Sequence, residues 1–172
     1  MKGGVKINVR AIGLKLPITG PGGELSPDKR KQIMTIMALM AINKVLDRVK
    51  RGESLGGGAF KPYTDAYRKW KASKGRAPET AGDWLTLSGQ MLASFQPLMV
   101  THDQWVAGFA GNRADGVSNA LLAWVNHEKY GRLFVGLTED EKTDIVNKTI
   151  VEATARGLLD NFAKGAGRAR RR

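Results

Sequence analysis

The stretch that most constrains what this chain can fold into runs from Ser26 to Gly52. Ser26 is a good helix N-cap, Pro27 suits the first helical position, and Asp28 adds a negative charge to the first turn. Gly52 can close the helix after about Arg51. The middle of this helix is apolar on nearly every side. Ile36 to Ile42 carries no charge, and Val45, Leu46 and Val49 continue a stripe. A helix with a solvent face needs only a narrower stripe, so this turn must be covered on most sides. The cover is either a sheet plus other helices or a second subunit. Ile36, Met37, Leu39 and Met40 are therefore the candidates for an oligomer interface, with methionine acting as ordinary core filler.

A chain of 172 residues builds one domain with extensions. The expected division is an N-terminal strand or arm over 1–25, a single α+β domain over 26–164, and a flexible basic tail over 165–172. The chain has no cysteine, so disulfides and thiol chemistry are excluded. No run of about 18 apolar residues is present, so no membrane-spanning helix is expected. The N-terminus carries charges throughout and does not have the pattern of a signal peptide. The net charge of +12 favours a polyanionic neighbour, either nucleic acid or an acidic protein surface. Arg168, Arg170, Arg171 and Arg172 concentrate that charge at the C-terminal tip.

Val5, Ile7 and Val9 alternate with Lys6, Asn8 and Arg10, which predicts a half-buried strand at a sheet edge. The turn formers over 17–24 predict a linker or hairpin tip. Gly56 to Gly58 lie in a loop that lacks the lysine ending and strand-to-helix setting of a phosphate-binding loop, so a flexible connection is expected. Thr64 caps a short helix to Ser73, closed by Gly75. Aromatic and basic residues interleave from Tyr63 to Arg76, as a nucleic-acid surface would require. The plainer alternative packs the aromatic face on the body and leaves the lysines in water.

Ser88 is expected to cap a short helix through Phe95, followed by two short strands joined at Thr101–Gln104. Gly111–Gly116 is a turn, and Ser118 caps a helical segment ending at Tyr130 and Gly131. Thr138 and Glu141 form a T-x-x-E capping box. The last helix is expected to reach Asn161 or Lys164, burying Ile145, Val146, Ile150, Ala153, Leu158 and Phe162, with Gly157 weakening its centre.

The residue types of catalysis are sparse. His102 and His127 have no metal-ligand spacing, and Gly131 stands where a zinc-binding H-E-x-x-H motif needs its second histidine. Ser88 lies outside any G-x-S-x-G elbow. The acidic cluster at Glu139–Glu141 and Asp144 is explained by helix capping. The expectation is a non-enzymatic protein without a cofactor or metal.

Three segments, in this order, carry a resemblance: "FKPYTDAYRKWKASKG", "LTLSGQMLASF" and "AWVNHEKYGRLFVGLTEDE". Together they resemble the Mu-like bacteriophage virion morphogenesis and tail-completion proteins, and the related neck and tail-terminator proteins. Leu85, Ser88, Gly89 and Leu92 carry the second match; His127, Gly131, Arg132, Phe134, Gly136 and Leu137 carry the third. Leu133 stands where that family has proline after the arginine. The resemblance spans roughly Ser26 to Phe162. It implies an α+β fold with a small antiparallel or mixed sheet packed against a long N-terminal and a long C-terminal helix. It also implies a structural virion protein that forms a ring, commonly sixfold, at the head-proximal end of the tail, assembled in the host cytoplasm. The implied partners are further copies of itself, the tail tube protein, a neck or head-completion protein, the tail sheath, and genomic DNA in the lumen, with no membrane. A connector on the portal side is the alternative position. A nucleic-acid-binding protein using Tyr63–Arg76 and the arginine tip is the alternative of a different class.

Overall fold

Helix α1 (Pro27–Arg51) is the axis of the fold in the computed structural model, which describes residues 9–10, 19–20, 23–76, 84–85 and 89–159. Its ends follow the sequence signals. The Ser26 hydroxyl accepts from the Lys29 amide, and Gly52 takes a left-handed conformation at φ 71°. The amides of Gly52 and Glu53 then satisfy the carbonyls of Val49 and Arg48. The chain itself covers the apolar middle of α1. Strands β4 (Phe95–Val100) and β5 (Trp105–Phe109) pack on one side of it, and helix α5 (Glu139–Ala155) packs on another.

This corrects the interface assignment on α1. Met37 is fully buried and Ile36 nearly so, inside their own subunit. Met40 is partly buried, with the Thr149 hydroxyl 3.6 Å from its sulfur. Of the four candidates only Leu39, 49% exposed, is open to solvent.

The two short helices α2 (Asp65–Ser73) and α3 (Gln90–Ala93) lie between α1 and the hairpin in sequence. Thr64 caps α2 through the Tyr67 amide, and Gly75 follows it at φ 72°. Helix α3 is a single turn whose N-cap position is Gly89, at φ 76°, with no side-chain cap. Ser88 lies outside the described residues. Phe95 belongs to β4 rather than to the helix.

Strands β4 and β5 form the expected hairpin, closed by the Thr101 amide on the Gln104 carbonyl at 2.8 Å. Trp105, Ala107 and Phe109 alternate into the core, and Phe95 stacks on Phe109 with ring centroids 4.7 Å apart. The register shifts between Pro97 and Met99. Proline has no amide to donate, so a bulge beside it on an edge strand is the expected accommodation. Strand β1 (Val9–Arg10) pairs with the other edge of β5, antiparallel, giving the order β1-β5-β4. The arm thus adds to its own sheet; Val5 and Ile7 lie outside the described residues. Strands β2 (Thr19–Gly20) and β3 (Gly23–Glu24) form a separate tight hairpin where turn formers are dense.

Helix α4 (Asn119–Trp124) starts at Ser118, whose hydroxyl accepts from the Leu121 amide. It widens without a break into a π-helical segment over Val125–Lys129. Nothing in the sequence signals that change. Gly131, at φ 62°, turns the chain afterwards.

The capping box of α5 is complete. The Thr138 hydroxyl accepts from the Glu141 amide, and the Glu141 carboxylate accepts from the Thr138 amide. The helix ends earlier than expected. Gly157, at φ 69°, terminates it instead of weakening its centre, because the Leu158 amide reaches the Ala153 carbonyl and the Gly157 amide reaches Thr154. The buried face also differs: Thr149 is fully buried, whereas Ile150 is half-exposed and Val151 exposed. Phe162 lies outside the described residues. The architecture is thus a small α+β fold with a long N-terminal and a long C-terminal helix against an antiparallel hairpin.

Candidate functional site

The loop between the π-helical segment and α5 is held by three buried or half-buried side chains: two reach its backbone from outside, and the third reaches out from the loop to its neighbours. Arg48, from the last turn of α1, is 3% exposed. Its guanidinium donates to both Glu141 oxygens at 2.7 and 2.6 Å, and to the carbonyls of Phe134 and Gly136, each at 2.7 Å. Glu141 thereby completes the capping box and binds Arg48 with the same carboxylate. His127 turns back from the π-helical segment, and its Nδ1 accepts from the amides of Phe134 and Val135 at 3.2 and 3.3 Å. That role requires a neutral ring nitrogen, and burial pushes the imidazole pKa below its ordinary value, opposed only by nearby Glu128. Gly136 has φ 134°, and a Cβ there would stand 2.7 Å from Leu55.

Arg132 is the third side chain. It is 5% exposed and donates to the carbonyls of Lys61 and Pro62 and to the Asn126 side chain. Its guanidinium lies between two rings, 4.2 Å from Tyr63 and 5.3 Å from Tyr130. Tyr63 is a hub. Its hydroxyl accepts from the amide of Leu85, whose φ of 56° is unusual for a residue with a side chain. The Lys71 ammonium lies 5.3 Å from the Tyr63 ring. Lys71 is fully buried, so the plain picture of α2 with all its lysines in water fails at that residue.

From Tyr63 a ladder of rings runs outward. Trp84, Tyr63, Tyr67 and Trp70 follow one another at centroid separations of 5.4, 4.8 and 5.3 Å. Trp84 and Tyr63 are buried; Tyr67 and Trp70 are 38% and 44% exposed. Trp84 packs over Gly52, where a Cβ would lie 2.2 Å from its ring nitrogen. Burial also raises the Tyr67 phenol, against the pull of Arg132 and Arg113.

The open side of this ladder is a cleft of about 470 Å³ between the start of α2 and the π-helical segment. Tyr63 and Arg132 form its floor, with Tyr67, Leu122 and Tyr130 on its walls and Lys61 and Lys129 among its lining residues. A smaller cavity of about 170 Å³ continues past Trp70, Gly89 and Arg113. Among the described residues no aspartate or glutamate lines either cavity. The π-helical segment supplies Val125, Asn126 and Lys129 to one wall, so the widened turn helps to shape the cleft.

The residues singled out by the sequence fall into separate groups. His127, Arg132, Phe134 and Gly136 come together in the loop that Arg48 clamps, whereas Gly131 turns the chain into it. Leu85, Leu92 and Leu137 are partly buried against the main core. Ser88, Arg168, Arg170, Arg171 and Arg172 lie outside the described residues. The 52–60 loop is a hydrogen-bonded turn rather than an open connection. Ser54 and Gly58 pair through their backbones, and the Leu55 amide donates to Leu133 at 2.6 Å. Among the described residues no cluster of three or more His, Asp or Glu side chains is placed to hold a metal ion. The Arg48 clamp, the Lys71 burial and the cleft escaped sequence reasoning. The interleaved aromatic and basic residues after Tyr63 were the one signal that pointed towards the cleft.

No protein-family profile, no curated protein and no solved structure matches the chain.

Proposed function

We propose that this chain is a structural subunit that assembles head to tail into a ring, as a tail-completion or tail-terminator component of a bacteriophage particle. One observation carries the assembling role: two unlike apolar surfaces are left open on the folded subunit. The first is on edge strand β4, where the bulge leaves Leu98 and Met99 45% and 41% exposed. The second is on α4, where Leu121 and Trp124, three residues apart on one helix face, are each 42% exposed. A rotationally closed ring needs two different complementary patches per subunit, unlike a two-fold dimer, which needs one. An exposed edge strand with apolar side chains is also a surface that a free monomer would normally have to blunt.

The order of the sequence motifs supports the phage setting, and the open surfaces support the ring. The other expected partners remain part of the same proposal: tail tube, sheath, neck or head-completion protein, and genomic DNA in the lumen. The test is the mass of the purified chain in solution, paired with the variants Leu98→Lys and Trp124→Lys. The expected result is a discrete ring that dissociates into folded subunits in either variant. A wild-type monomer, or rings unaffected by both substitutions, would remove the proposal.

A further inference from the structure

Beyond assembly, we infer that the cleft between α2 and the π-helical segment binds single-stranded nucleic acid, with an unstacked base on its aromatic wall and phosphates at Lys61 and Lys129. The inference stands apart from the ring reading, since every residue it uses lies in one subunit. Three observations converge on it. The first is the ring ladder, which brings the 38% exposed Tyr67 to the cleft wall, with Tyr130 45% exposed across the cleft. Flat aromatic faces accept any base by stacking. The second is charge. Lys61 and Lys129 are exposed at the cleft, Arg132 forms its floor, and among the described residues no carboxylate lines it, in a chain of net charge +12. An anion is the complementary occupant. The third is depth. A cleft of about 470 Å³ admits a base that has left its stack, whereas the bases of a duplex remain paired and stacked inside their helix. Single strands are therefore favoured over a duplex.

Arg132 and Tyr63 act here as supports. Both are buried, and the bonds of Arg132 to the 61–62 carbonyls fix the floor against which a base would rest. The groups free to meet a ligand are on the rim.

The test uses the full chain and a fluorescently labelled oligothymidylate, with a duplex of equal length as comparison and added salt as a variable. Binding of the single strand should be the tighter of the two and should weaken steeply with salt. Tyr67→Ala should weaken it roughly fivefold or more, as expected when one stacking surface is removed. Lys61→Glu with Lys129→Glu should weaken it further and reduce the slope of log affinity against log salt by about 0.7 for each phosphate that is no longer neutralised. Circular dichroism melts confirm that each variant is folded. Three results would each overturn the inference: preference for the duplex, an oligothymidylate affinity unchanged in the folded Lys61/Lys129 variant, or binding of a polyglutamate peptide with no binding of the oligonucleotide. Ring mass is measured on the same samples, so loss of binding with rings intact is distinguishable from failure of assembly.

Discussion

Replacing Arg48 by methionine keeps the apolar stem of the side chain and removes its guanidinium. Four hydrogen bonds disappear: two to Glu141, one to the Phe134 carbonyl and one to the Gly136 carbonyl. Arg48 is 4% exposed over its side chain and Glu141 18%, so the pair is largely withdrawn from water. Removing one partner of a buried pair costs about 3–5 kcal/mol, mostly because the other is left uncompensated. The partial exposure of Glu141, and its remaining bond to the Thr138 amide, place the expected loss near the lower end, about 3 kcal/mol. For a domain of this size that is a fall in Tm of roughly 6–12 °C. Urea unfolding followed by circular dichroism measures it. A double-mutant cycle with Glu141→Gln separates the pair from the two carbonyl bonds, with an expected coupling of about 1–3 kcal/mol. A loss under about 1 kcal/mol, the range of an exposed ion pair, would refute the claim that Arg48 clamps the loop to α5.

Further outcomes follow from other parts of the fold. His127 accepts two amide bonds as a neutral ring and its pKa is lowered, so its contribution to stability is present above the ordinary value of 6.5 and is lost as pH falls through the lower folded value. Melting temperatures taken across that window should fall on acidification, and His127→Asn should show a smaller fall; equal slopes would contradict this. Met37→Lys places a charge at a fully buried position and should unfold the subunit, whereas Leu39→Lys should change stability by no more than about 0.5 kcal/mol. Equal tolerance of both substitutions by thermal melt would overturn the burial assignment on α1. Gly52→Ala combines a left-handed backbone with a clash on the Trp84 ring and should cost at least about 1 kcal/mol; a neutral result in chemical unfolding would contradict that packing.

Local chemistry was legible in the sequence. Ser26, Pro27 and Gly52 bound α1, Thr138 and Glu141 start α5, and Thr101–Gln104 turns the hairpin, because caps and turns are written within a few residues. The Arg48–Glu141 pair was not, since its partners are 93 residues apart and each carries a good local explanation of its own. Lys71 lies in a helix rich in solvated-looking lysines, and no local pattern marks it for burial beside the Tyr63 ring. Ile150 suited the apolar period, yet Thr149 took the buried position against Met40. The charge-free turn of α1 was correctly expected to be covered, but periodicity cannot distinguish cover by the chain's own strands and α5 from cover by a neighbour. The sequence pointed to Tyr63–Arg76 as a surface; it could not show that Arg132 and the widened turn at Val125–Lys129 make a cleft of it.

The assembling role is tested most directly by the mass of the purified full chain in solution, imaged in parallel by negative stain. The expected result is a closed ring, which falls to folded single subunits when Leu98→Lys or Trp124→Lys is introduced. A monomer or two-fold dimer at every concentration would contradict it.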